Sequence, residues 1–128
     1  MNFRVARHTN NLDKIIAFYT NILDLEILGS FNNHDNYDGV FIGLKDMSWH
    51  LEFTKSDEIV NHKFNDDDIL VFYPETDISY SMIIENINIY QIKKLNPKNP
   101  YWNLNGILIQ DPDGFNIIIS NLKAQKNL

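Results

Sequence analysis

The chain has 128 residues, is 44% hydrophobic and 22% charged, and carries 11 Lys and Arg against 17 Asp and Glu, a formal net charge of −6. Sixteen aromatic residues and eighteen Ile supply enough apolar surface for a real core, which excludes a disordered chain and predicts a single soluble domain over residues 1–128. The acidic balance excludes the basic footprint of a nucleic-acid binder, no apolar run approaches the roughly 20 residues of a membrane span, and the absence of Cys excludes disulfides, thiolate nucleophiles and sulfur-ligated metals.

Phe3 to His8 alternates Phe3 and Val5 against Arg4, Ala6 and His8, the period-2 pattern of a half-buried strand. Asn10-Asn11 then offers a helix cap, with Leu12, Ile15, Ile16, Tyr19 and Leu23 at helical spacing behind it, and the helix is expected to stop near Asp24. A second strand is predicted over Leu25 to Phe31, a polar turn over Asn32 to Asn36, and two more strands over Val40 to Leu44 and Trp49 to Thr54. Lys55 to Asp68 is charged and poor in apolar residues, which predicts a solvated connector.

After this connector the order repeats. A strand over Ile69 to Tyr73 precedes a capped helix from Thr76-Asp77 to about Asn86, followed by strands near Ile89 to Ile92, Asn105 to Gln110 and Phe115 to Ser120. Gly39-Val40-Phe41-Ile42 and Gly106-Ile107-Leu108-Ile109 sit at equivalent places in the two halves. The fold class expected is therefore α+β, with one βαβββ module over about 1–55, a connector over 56–67 and a second module over about 68–122.

In each module the face away from the helix lacks an obvious cover. Alternation places Arg4, Ala6 and His8, then His50, Glu52 and Thr54, then Asn116, Ile118 and Ser120 on it. Such a set suits either the wet side of an antiparallel sheet or the lining of a binding site. Tyr37, Tyr101 and Trp102 are candidate rim residues, because aromatic rings hold flat ligands well, although Tyr101 and Trp102 would equally serve to cover a module edge.

The order of elements, together with three motifs, resembles the vicinal oxygen chelate superfamily, which includes lactoylglutathione lyase, bleomycin-resistance proteins and extradiol dioxygenases. Asn11-Leu12-Asp13 with Ala17-Phe18-Tyr19 is similar to the superfamily's D-L-x(4)-F-Y, Leu23-Asp24-Leu25 to its L-G-L, and Asp111-Pro112-Asp113-Gly114 to its D-P-D-G hairpin. Asp24 replaces the usual Gly of that second motif, and Asp tolerates a left-handed backbone better than most residues. The resemblance implies two βαβββ modules in a cupped, mostly antiparallel sheet with helices on the outer face, frequently in homodimers. It also implies a divalent metal such as zinc, nickel, iron or manganese, held by His or Gln and Glu from the first and last strands of each module. Of those four places this chain fills one. Glu52 matches, but Arg4 stands at the first, Ile69 (or Asp68, one residue earlier) at the third and Ile118 at the last.

The expected function is thus binding of a small organic ligand without a metal or other cofactor, with Arg4, His8, Tyr37, Tyr101, Trp102 and Asn116 in contact with it. If a reaction is catalysed, Glu52 is the candidate base and His50 or Arg4 the candidate oxyanion partner. The net acidity suits a cationic ligand without requiring one. An alternative is a metal-dependent lyase, transferase or dioxygenase with ligands relocated among His8, His50, Glu52 and Asp68. Another is a pseudo-enzyme or interaction domain whose cup is filled by its own side chains. A homodimer in the cytoplasm is expected, with neither nucleic acid nor membrane as partner. Because the superfamily's first His and its Glu bind one ion, Arg4 and Glu52 are expected to converge as an ion pair, and burial of that pair would make loss of Arg4 cost roughly 3 to 5 kcal/mol.

Overall fold

Strand β1, Phe3–His8, opens the chain and lies at one edge of a four-stranded sheet ordered β1-β4-β3-β2, with β2 at Glu26–His34, β3 at Tyr37–Gly43 and β4 at Trp49–Lys55. The structure is a computed structural model that describes residues 1–123. It divides into two compact units, Met1–His62 and Lys63–Leu128.

In the first unit β1 runs parallel to β4, while β3 is antiparallel to both β4 and β2, so the sheet is mixed. Helix α1, Leu12–Ala17, starts where the Asn11 side chain accepts the Lys14 N–H at 3.0 Å. It does not continue as an α-helix to Asp24. A π-helical turn over Phe18–Ile22 takes its place and carries Phe18, Tyr19 and Ile22 into the core. There Tyr19 packs on Phe53 of β4 at 5.0 Å between ring centroids, and Val40, Ile42 and Leu51 complete the buried side of the sheet. Apolar burial of this kind is the main stabilising contribution. Asp24 has φ of 58°, so it does occupy a left-handed position after the helix. Among the described residues, five of the six non-glycine residues with positive φ are Asp or Asn, which gives the chain's abundant short polar side chains a local structural use.

The hairpin between β2 and β3 is tighter than the five-residue turn expected. β2 continues to His34, which pairs with Tyr37, and only Asp35 and Asn36 form the loop, with φ of 52° and 70°. Two successive positive φ values make the turn type whose twist matches paired strands.

The second unit holds a three-stranded sheet, β5-β7-β6, with β5 at Ile69–Phe72, β6 at Ile107–Gln110 and β7 at Asn116–Ile119. As in the first unit, the first and last strands are parallel and the last two antiparallel. Helix α2, Asp77–Ile89, is capped by Thr76, whose Oγ1 accepts the Ser79 N–H at 3.0 Å. It runs past Asn86 and replaces most of the strand expected near Ile89 to Ile92. Ile83 and Ile87, four residues apart and both buried, gain more from one helical face than Ile87, Ile89 and their neighbours would from alternation. The fourth strand shrinks to a single bridge between Leu95 and Leu108. Helix α3, Tyr101–Asn105, takes in Asn105, where the next strand was expected to start, and the Asn99 side chain accepts the Tyr101 N–H at 3.1 Å. No described helix is long and apolar enough to cross a membrane.

Candidate functional site

Strand registers set the open face of the first unit. Arg4, Ala6 and His8 of β1 pair with His50, Glu52 and Thr54 of β4, and these in turn face Gly43, Phe41 and Gly39 of β3. Because Leu51 and Phe53 fill the opposite side of β4, alternation leaves His50, Glu52 and Thr54 no choice of face.

At the centre Arg4 Nη1 donates to Glu52 Oε1 at 2.9 Å, so the expected pair is present. Its burial differs from the expectation: the Glu52 side chain is 13% exposed but that of Arg4 is 52% exposed. Water therefore screens the guanidinium, and the pair contributes at most about 1 kcal/mol instead of the larger figure for a buried pair. A double-mutant cycle with Arg4→Ala and Glu52→Gln should give a coupling of about 0.5 to 1 kcal/mol that shrinks as salt is added. A coupling of zero would show that the two side chains ignore each other in solution.

Around this pair lie aromatic rings that sequence reasoning missed. The Arg4 guanidinium carbon is 5.9 Å from the Phe41 centroid, near the limit of a useful cation–π contact. The rings of Phe41 and His50 meet edge to face at 5.6 Å, and Phe31 leans on Phe41 at 5.9 Å. The ring of Phe31 lies across Gly39, where an added Cβ would stand 2.2 Å from it, so a bare backbone at that position is what lets the ring lie down on the sheet. The usable signal was Gly29, Gly39 and Gly43 within strands that also carry Phe.

His8 is on the same face but already engaged. Its Nδ1 lies 2.8 Å from Thr54 Oγ1 and its Nε2 3.1 Å from Ser56 Oγ, with Tyr37 edge-on at 5.8 Å. The ring nitrogens of His50, in contrast, have no hydrogen-bond partner among the described residues.

The remaining candidates belong to the second unit. Asn116 is 6% exposed, donates to the Asp66 carbonyl at 3.1 Å and accepts from Gln110 at the same distance, which ties β7 to its neighbours. Tyr101 and Trp102 stack edge to face at 4.8 Å in α3. A Cβ on Gly106 would stand 3.2 Å from Trp102 and 2.6 Å from Ile118. This places Trp102 against the strand that carries Ile118.

The donors do not fit the superfamily's metal. A guanidinium holds the carboxylate of Glu52, and Ile118, 1% exposed, is a buried hydrocarbon at the closing Glu place. Relocation fares no better, since both His8 nitrogens are bound to hydroxyls and Asp68 Oδ2 accepts the Asn65 N–H at 3.2 Å. Among the described residues no three His, Asp or Glu converge as a metal-binding group.

Comparison with known proteins agrees with this architecture. Residues 3–54 match the YycE-like N-terminal domain family and residues 67–121 the YycE-like C-terminal domain family. The uncharacterised protein YycE of Bacillus subtilis (strain 168) is 39% identical over 125 residues, covering 94% of this chain and 88% of that protein. The crystal structure of a Bacillus subtilis YycE protein of unknown function, grouped with glyoxalase and fosfomycin resistance proteins, superimposes with a TM-score of 0.85 at 36% identity, over 99% of this chain and 93% of that one. More distant in sequence, and alike in fold, is the trypanothione-dependent glyoxalase I of Leishmania major, with a TM-score of 0.71 at 19% identity over 92% of this chain and 84% of the other. The fosfomycin resistance protein FosX of Mesorhizobium loti gives 0.66 at 10% identity over 94% and 90%. With both halves matched in order and a relative at this identity along nearly its whole length, the chain belongs to the YycE-like proteins of the vicinal oxygen chelate superfamily.

Proposed function

We propose that this chain binds a small organic molecule on the open face of its first sheet, and does so without the divalent metal used by other members of the superfamily. The observation that carries this is the ion pair at 2.9 Å between Arg4 and Glu52. A permanent positive charge sits on the one carboxylate that matches a metal ligand, and a second cation there would meet direct repulsion. Phe31, Phe41 and the His50 ring, whose nitrogens make no hydrogen bond among the described residues, supply the mixture of apolar surface and directed polar groups on which small-molecule sites depend. The same proposal keeps the pairing of two copies implied by the superfamily, for which Phe3 and Val5, 62% and 39% exposed on the edge strand β1, provide apolar surface.

The test is metal analysis joined to thermal denaturation. Protein made without a metal-affinity tag or added chelator should hold well under one equivalent of any first-row transition metal. Its melting temperature should rise with members of a small-molecule panel and stay unchanged with divalent zinc, nickel, iron or manganese, because only ligands that bind the native state raise stability. One tightly held equivalent of metal, lost when Glu52 is changed to Gln, would overturn the proposal.

A further inference from the structure

We infer that the ligand of this face is a small flat carboxylate, held by the free edge of the Arg4 guanidinium while its apolar body lies on Phe41 and Phe31. This rests on the proposed binding role of the open face and names the chemistry of what binds.

Arg4 carries five N–H donors in a rigid plane. Within the described residues its contacts are the Nη1 bond to Glu52 and the Phe41 ring, and half of the side chain is exposed. Glu52 thus orients the plane from one side and leaves other donors for a partner with matching geometry. A carboxylate is the planar acceptor that such a fork takes in two parallel bonds. His50, opposite Arg4 in the strand register and without a hydrogen-bond partner of its own, can add a donor beside it.

The floor determines the rest of the molecule. Phe31 and Phe41 are tilted by 49° at 5.9 Å and lie beside glycines, a Cβ on Gly39 running into the Phe31 ring and one on Gly29 standing 3.3 Å from Phe41. Both rings are partly exposed. A flat apolar group gains contact on such a surface that a branched or strongly hydrated one does not.

The net charge of −6 favours cations only over distance. Locally the Arg4–Glu52 pair sums to zero, so the choice rests on the charged donors that Arg4 turns away from Glu52. The other carboxylate that the registers place on this face is Glu26, at the far end of the row Arg4, His50, Gly43, Glu26. Three strand spacings put it about 14 Å away, beyond the roughly 8 Å screening length of physiological salt. The nearby guanidinium therefore decides.

The experiment titrates the full chain by calorimetry with 2-naphthoate, neutral 2-naphthamide and cationic 2-naphthylmethylamine. The acid should bind at least about tenfold more tightly than either analogue, as expected for a hydrogen-bonded charge. Arg4→Gln should erase that difference, whereas Gly39→Val, which displaces the Phe31 ring, should weaken acid and amide together. Arg4→Lys, which keeps a charge on Glu52 and so protects the fold, should retain the ion but lose most of the acid's advantage with the fork. An amide or amine that binds as tightly as the acid, or an advantage untouched in both Arg4 variants, overturns the carboxylate while leaving the face a binding site. Wild-type protein that binds none of the three overturns the binding role of the face and this inference with it.

Discussion

Phe53→Ala should destabilise the protein by about 3 to 5 kcal/mol, measured as a shift in the chemical denaturation midpoint. Phe53 is 2% exposed, with its ring 5.0 Å from that of Tyr19, which is fully buried. The Arg7 guanidinium carbon lies over the Phe53 ring at 5.1 Å and the guanidinium donates to the Tyr19 hydroxyl at 3.1 Å. Truncation removes the ring and leaves a cavity that Tyr19 cannot close without giving up that hydrogen bond, so the transfer and cavity costs add. Against a typical total stability of about 5 to 15 kcal/mol, this loss brings the chain near unfolding. The consequence reaches the open face because β4 alternates: Phe53 anchors the strand from below while His50, Glu52 and Thr54 stand above it. A loss below about 1 kcal/mol would mean that the first unit does not fold around this contact.

Much of this arrangement was legible from the residues, and the rest failed for identifiable reasons. β1 was readable to its ends from Phe3 and Val5 set against Arg4, Ala6 and His8. The convergence of Arg4 with Glu52 was legible only through the resemblance, which sets these two residues at places where relatives hold one ion. The Phe31 and Phe41 floor was hidden by a register shift in β2. There Ile27 pairs with Ile42 on the core side but Gly29 pairs with Phe41 on the open side, so an extra residue at Leu28 switches the face. Strict alternation would have put Ile27, Gly29 and Phe31 together. The exposure of Arg4 was equally beyond sequence, because screening depends on what covers a group in space and not on its neighbours in the chain. In the second half, Ile-rich segments fit helical and alternating patterns alike, and only burial of Ile83 with Ile87 separated them.

Asp111→Ala should cost roughly 2 to 4 kcal/mol, and Asp111→Asn should recover most of it. Asp111 is 4% exposed, and its Oδ1 accepts the N–H groups of Asp113 at 2.9 Å and Phe115 at 3.1 Å. Its backbone closes the same loop, donating to the Phe115 carbonyl at 3.0 Å and accepting the Gly114 N–H at 2.9 Å. Gly114 sits at φ of 84°, where a side chain would be strained. Alanine leaves two backbone donors in a place that little water reaches, and each unsatisfied donor carries a desolvation penalty. Asparagine keeps a carbonyl oxygen at the Oδ1 position, so the outcome separates the hydrogen bonds from charge. The turn sets the pairing of Gln110 with Asn116 and so aligns all of β7, including buried Ile117, Ile118 and Ile119. If alanine proved harmless, the turn would be held by proline and glycine alone. A loss in both variants would assign the stabilisation to the charge of Asp111 instead of to its acceptor geometry.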